Sequence, residues 1–411
     1  MQTNLPESLL RTEAGKLADT ILRKCVHCGF CTATCPTYQV TGSELDSPRG
    51  RIYQIKQVLE GAPATKAIQH HLDRCLTCRN CETTCPSGVH YTRLLDIGRE
   101  VVEEAVGRSP WEVVQRQTLR HLVLTKPLFH HSYRLAQRVH SLLPRTLRGK
   151  ILPPQQPLQS EAVPANAVHS RKVIIPVGCV QPTMMPNIDE ATYRVLHKLG
   201  IQCLTPTNGG CCGAVNLHLN EHEKSLADMR RNIDAWWPHI EAGAEAILSN
   251  TSGCGVMIKD YAFHLKEDPQ YAEKAKKVSE LTKDLVEIIL PQTEQLSAAS
   301  RPGNGEILAY HPPCTLQHGQ KIRGQVEQVL SNLGYQVLLP QDSHLCCGSA
   351  GTYSFFHPDI SKQLRDNKLR HLSELKPAAI LSANIGCLTH LAGGTDLPVR
   401  HWIEFVAEQL Q

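Results

Sequence analysis

Cys75-Leu-Thr-Cys78-Arg-Asn-Cys81-Glu-Thr-Thr-Cys85-Pro86 is a C-x2-C-x2-C-x3-C-P run, and it decides how the first third of the chain folds. A second copy stands fifty residues earlier, Cys25-Val-His-Cys28-Gly-Phe-Cys31-Thr-Ala-Thr-Cys35-Pro36. Three cysteines separated by two residues place three thiolates on one tight loop, where they can face three irons of a cubane. The fourth stands just before proline, which favours a helix start directed away from that loop. Zinc fits less well, because its sites draw on separated C-x2-C pairs that supply only four sulfurs per ion.

Both runs resemble the bacterial two-cluster 4Fe–4S ferredoxin domain. In that family the fourth cysteine of each run ligates the other cluster. The resemblance therefore implies Cys25, Cys28, Cys31 and Cys85 for one 4Fe–4S cluster, and Cys75, Cys78, Cys81 and Cys35 for the second.

The chain has 411 residues, of which 41% are hydrophobic, enough for two or three domains with sizeable cores. No run approaches the roughly 18 uncharged apolar residues that span a bilayer. Met1-Gln-Thr-Asn-Leu-Pro-Glu7 has neither a basic nor an apolar segment of an export signal. Seventeen cysteines then indicate a reducing compartment and metal ligation rather than disulfides. The net charge of +4 counts cysteine as neutral. Two ligated clusters at about −2 each would roughly cancel it, so nucleic acid is not an expected partner.

Leu10, Ala14, Leu17 and Ile21 predict one helical face over residues 6 to 24. After the first cysteine run, Ser47-Pro48-Arg49-Gly50-Arg51 opens another helix. Arg49, Arg51, Arg74 and Arg79 either aim charge at a cluster or are solvated. His27 lies inside the first loop, where four cysteines already complete a ligand set, so it reads as a neighbour rather than a ligand. From Asp96 to about Lys150 the pattern is helical, and His130-His131 has no nearby carboxylate or thiol partner. Residues 151 to 170 are proline-rich and read as a linker.

Beyond the linker the sequence repeats at an offset of about 135. Val173-Ile-Ile-Pro-Val-Gly-Cys179 matches Ile307-Leu-Ala-Tyr-His-Pro-Pro-Cys314. Cys211-Cys212-Gly213 matches Cys346-Cys347-Gly348, and Ala246-Ile-Leu-Ser249 up to Cys254 matches Ala379-Ile-Leu-Ser382 up to Cys387. Short apolar strands alternate with helical faces such as Ile188, Ala191, Val195 and Leu199, which predicts parallel α/β units. Cys179, Cys211, Cys212 and Cys254 are expected to converge at one carboxyl edge, and Cys314, Cys346, Cys347 and Cys387 at another. Cys203 aligns with Val337 in a strand and reads as a small buried residue. The expected fold is α+β overall: a helical two-cluster domain (1–150), the linker (151–170) and two α/β repeats (171–290 and 301–411).

The repeats resemble the cysteine-rich CCG domains of the heterodisulfide reductase family, where each repeat closes with C-x2-C and can hold an unusual iron–sulfur cluster. Here Cys254-Gly-Val-Met257 and Cys387-Leu-Thr-His390 lack the last thiol. That leaves four thiolates per repeat for a further iron–sulfur or other metal centre, with Met257 and His390 either weak ligands or packing.

A ferredoxin domain fused to two such repeats is similar to the family of bacterial glycolate oxidase iron–sulfur subunits, which serves flavin-dependent oxidation of hydroxy acids. Asn232-Ile-Asp-Ala-Trp-Trp-Pro238, Asp342-Ser-His-Leu-Cys-Cys-Gly-Ser-Ala-Gly-Thr-Tyr353 and Ala383-Asn-Ile-Gly-Cys-Leu-Thr-His390 carry that likeness. It implies an electron-transfer subunit, no catalytic residue on this chain, and two FAD-type partner subunits that turn glycolate into glyoxylate. It further implies a quinone or respiratory acceptor and a peripheral place on the cytoplasmic face of a bacterial inner membrane. Lactate or glycerol 3-phosphate is the rival substrate, and direct heterodisulfide-type redox chemistry the rival activity. The residues agree on the relay role, since no G-x-G-x-x-G follows a strand and no G-x-S-x-G or H-E-x-x-H occurs.

Overall fold

A computed structural model describes residues 1–158 and 168–411. Of the expected linker, residues 159–167 fall outside the described residues. The fold is mixed helix and sheet, arranged as two compact units: Met1–Gln117 with His344–Arg365, and Thr118–Ser343 with Asp366–Gln411.

The first unit is built on four helices: α1 (Glu13–Lys24), α2 (Pro48–Leu59), α3 (Lys66–Asp73) and α4 (Tyr91–Val106). Thr12, Ser47 and Thr65 cap the first three, each side-chain oxygen accepting from a backbone N–H in the first turn. Such caps contribute about 1 kcal/mol apiece. Leu22, Ile55, Leu72, Leu94 and Leu95 are buried together between them. Each fully buried leucine or isoleucine adds about 1.5–3 kcal/mol.

Two local expectations are corrected here. The apolar face near the N-terminus is Gly15, Ala18, Ile21 and Leu22, with Ala14 exposed. The helix breaks at Arg11 and restarts from the Thr12 cap, which shifts the buried stripe. Pro36 does open a helix (Pro36–Thr41), but Pro86 leads into a turn. There Gly88 takes a left-handed φ of +62°, and helix begins only at Tyr91.

The second unit contains two parallel sheets of equal design. β1 (Arg171–Ile174), β2 (Ile201–Leu204), β3 (Ala246–Ser249) and β4 (Thr282–Asp284) lie in the order β2-β1-β3-β4. β5 (Ile307–His311), β6 (Gln336–Leu338), β7 (Ala379–Ser382) and β8 (Val399–His401) lie in the order β6-β5-β7-β8. The register repeats too: Val173 pairs with Ala246 as Leu308 pairs with Ala379. β3 and β7 are buried along their whole length, as central parallel strands covered on both faces must be. The helices Leu285–Ile289 and Trp402–Ala407 each open with a reciprocal cap, Asp284 with Glu287 and His401 with Glu404. Duplication is thus visible in strand order, register and capping, and one apolar core is shared by both repeats.

Candidate metal centres

Each cysteine run of the first unit leaves the end of a helix, Cys25 after α1 and Cys75 after α3. Both loops then take two left-handed residues at equivalent places, His27 (φ +56°) with Gly29 (+86°), and Thr77 (+52°) with Arg79 (+60°). A β-branched threonine there is strained, and strain of this kind persists where surrounding structure dictates the loop. These turns set the thiols around a common space.

Two adjoining cavities result. The first, about 440 Å³ and open to solvent, is lined by Cys25, Cys28, Cys31 and Cys85. The second, about 340 Å³, is lined by Cys35, Cys75 and Cys78. Cys81, Pro48 and Tyr91 form the wall they share. Each cavity thus gathers thiols from both runs. Burial pushes the Cys31 thiol up to about 11 and the Cys81 thiol well above its ordinary value. Bound cations reverse that preference, since a coordinating thiol is deprotonated outright. An all-sulfur donor set fits 4Fe–4S clusters.

Positive charge stands beside both cavities. Arg49 lines the first and pairs with Glu44 at 2.7 Å. Arg51, only 1% exposed, lines the second. It donates to the His71 carbonyl at 2.7 Å and to Thr37 Oγ1 at 3.1 Å, and Thr37 Oγ1 lies 3.2 Å from Cys35 Sγ. Buried Asp46 balances it and accepts from Arg74 at 3.0 Å. Arg79 also lines the second cavity. His27 borders the first and makes an edge contact with Tyr53.

In the first repeat the structure brings all four predicted thiols together. Cys211 is in hydrogen-bond contact with Cys179 and Cys212, and Cys212 with Cys254. Cys211 and Cys212 are buried and Cys179 half-buried, and the group packs against Met229, Ile233, Trp236 and Tyr261. Contact with neighbouring thiols and burial push Cys179 and Cys212 well above the ordinary thiol range, whereas bonds from both neighbours hold Cys211 well below it. The Cys-Cys turn is clamped from behind by Asn232, and the Tyr261 hydroxyl donates to the Cys212 carbonyl at 2.9 Å. Gly213 follows at φ +93°, where a Cβ would meet Ser225 Oγ at 3.0 Å. Met257 is buried in this apolar cluster.

Cys346 and Cys347 are buried in the first unit, within the returning segment His344–Arg365. Asn80, beside Cys81, donates to the carbonyls of both Thr34 and His344 there. Cys314 and Cys387 belong to the second unit, Cys387 buried in the helix that follows β7 and Cys314 just after β5. His390 is half-buried on that same helix. Cys203 lies in β2 opposite Val173, its thiol pushed up to about 12 by burial. His130 and His131 are exposed in the helix Lys126–Arg138. The roles of two residues were not legible in the sequence. Asn232 gave no signal as a clamp, whereas His311 could have been noticed because the first repeat has Pro176 in its place.

A dicluster iron–sulfur domain joined to a duplicated cysteine-rich domain is the class these features define. The family described as "4Fe-4S dicluster domain" matches residues 21–89, and the family described as "Cysteine-rich domain" matches residues 173–259 and 308–392. The chain is 53% identical to the glycolate oxidase iron-sulfur subunit of Escherichia coli K12 over the full length of both. It is 29% identical to the probable glycolate oxidase iron-sulfur subunit of Bacillus subtilis 168, covering 91% of this chain and 89% of that one. Lactate utilization protein A of Bacillus pumilus is 30% identical, but over only 54% of this chain and 91% of its own. The chain belongs to the family of glycolate oxidase iron–sulfur subunits.

Proposed function

We propose that this chain is the electron relay of a flavin-dependent glycolate oxidase. It receives electrons that a flavin on partner subunits takes from glycolate and passes them to a respiratory acceptor such as quinone. The observation that carries this reading is the pair of adjoining thiol-lined cavities sharing Cys81 and Tyr91. The ligand sets we assign are Cys25, Cys28, Cys31 and Cys85 for one cluster, and Cys75, Cys78, Cys81 and Cys35 for the other. Cys179, Cys211, Cys212 and Cys254 are assigned to the first repeat's iron–sulfur centre, and Cys314, Cys346, Cys347 and Cys387 to the second's.

When bound, 4Fe–4S clusters supply one-electron carriers whose potentials the protein tunes through charge, hydrogen bonds and burial. The chain's own residues do that tuning. Arg51 brings a buried positive charge to the second cavity, while Cys28 opens the first to solvent between exposed Val26 and Phe30. That surface is where an electron can enter or leave by the shortest route. Substrate chemistry belongs to the partners, two FAD-type subunits in this reading. Among the described residues no helix is long and apolar enough to cross a membrane. A peripheral position on the cytoplasmic face of the inner membrane completes the proposal.

Lactate is the second reading, favoured only by the partial likeness to lactate utilization protein A. Growth of a deletion strain on glycolate, lactate or glycerol 3-phosphate as sole carbon source separates the substrates. Loss of growth on glycolate alone is expected. Normal growth on glycolate overturns the proposal.

A further inference from the structure

His311 is the last residue of β5 and pairs in register with Ser382 at the end of β7, whose hydroxyl donates to the His311 carbonyl at 2.8 Å. The side chain is 0% exposed, and among the described residues neither ring nitrogen has a hydrogen-bond partner. A neutral imidazole carries one donor and one acceptor. Leaving such groups dry and unpaired is unfavourable. A nitrogen kept buried and unpaired beside a thiol has the environment of a metal ligand.

The thiol is Cys387, whose sulfur and a His311 ring nitrogen lie within 4.8 Å of one another. Ligands about 2.0–2.3 Å from a tetrahedral ion stand roughly 3.5 Å apart, so a small rotamer adjustment lets both reach one metal. Cys314 leaves the same strand three residues later. Pro176 holds the corresponding place in the first repeat, whose four thiols contact one another instead.

We propose that His311 is a nitrogen ligand of the iron–sulfur centre held at Cys314 and Cys387, supplying the donor that the incomplete C-x2-C no longer provides. The inference rests on the reading that the repeats hold iron–sulfur centres. It makes the two repeats unequal. Neutral imidazole in place of thiolate removes a negative charge and raises the potential, as histidine does in Rieske centres. For clusters of like type, electrons then run downhill from the first repeat to the second.

The test uses the full chain in its complex, purified anaerobically, with histidine at natural abundance or labelled with 15N. Pulsed EPR in the paramagnetic state is expected to show an isotope-sensitive nitrogen coupling of the size of a direct iron–nitrogen bond. H311C abolishes that coupling, keeps the iron, shifts one 57Fe Mössbauer subsite and lowers that centre's potential. H311Q loses the coupling together with the second repeat's iron, while the signals of the two ferredoxin-type clusters persist and report an intact fold. Should either variant fail to fold, the labelled wild type alone decides. Iron that C387S removes, without any isotope-sensitive coupling in the wild type, overturns the inference and leaves the reading of the repeats standing. A coupling that survives in H311C also overturns it. No iron beyond the about eight of two 4Fe–4S clusters overturns both.

Discussion

Asn232 holds the backbone of Cys211: its Nδ2 donates to the Cys211 carbonyl at 2.7 Å, and its Oδ1 accepts the Gly210 N–H at 2.8 Å. The residue is fully buried on the helix His222–Glu241, so an α-helix face dictates where the thiol pair points. Asn232→Ala strands these groups away from water at about 1–3 kcal/mol each. The expected result is a loss of about 2–4 kcal/mol in denaturant unfolding and reduced iron in the first repeat. Unchanged stability and iron would show that the clamp is dispensable.

Arg51 places a positive charge against the second cavity and bonds to Thr37, which touches Cys35. Reduction adds negative charge, which a nearby guanidinium favours. Arg51→Met therefore lowers the potential of the cluster at Cys75, Cys78, Cys81 and Cys35 by on the order of 60 mV, a tenfold change for one electron. Redox titration followed by EPR reads the shift. A potential that stays or rises contradicts the placement of this charge.

Gly348 follows the second thiol pair at φ +91°, and a Cβ there would lie 2.5 Å from the Ser361 carbonyl oxygen. Ser361 in turn donates to the Gly348 carbonyl at 2.8 Å. Gly348→Ala meets both an unfavourable φ and a backbone clash, and about 2 kcal/mol or more of stability is lost. Equilibrium unfolding measures it. A neutral outcome would mean the returning segment His344–Arg365 yields easily.

Cys203 is the cysteine outside every assigned ligand set, and it sits in β2 facing the core as a small apolar group. Cys203→Val leaves the iron content unchanged and alters stability by less than about 1.5 kcal/mol. Iron analysis of the purified variant checks this. Any loss of iron would bring that thiol into a centre.

Sequence pattern revealed the duplication because each repeat's central strand is the same tetrapeptide, Ala-Ile-Leu-Ser, at 246–249 and 379–382. Fixed cysteine spacing made the two N-terminal runs equally legible. Features set by distant residues were hidden. The Thr12 cap moved a helical face by one residue, because side-chain capping competed with an otherwise continuous apolar period. Placement of Cys346 and Cys347 in the first unit depends on a return of the chain across more than two hundred positions. His311 reads in sequence as an ordinary strand-end histidine, and only folding shows its ring stranded without partners among the described residues.

The central claim is that electrons pass through thiol-held clusters in this chain, and rapid mixing of the anaerobic complex with glycolate tests it most directly. In the wild type, flavin reduction is expected to be followed by the EPR signals of reduced clusters within one turnover. In Cys85→Ser the flavin should still reduce, the cluster sharing Cys25, Cys28 and Cys31 should be the one perturbed, and acceptor reduction should fall at least tenfold. Acceptor reduction at the wild-type rate in a Cys85→Ser complex that has lost that cluster would contradict the account.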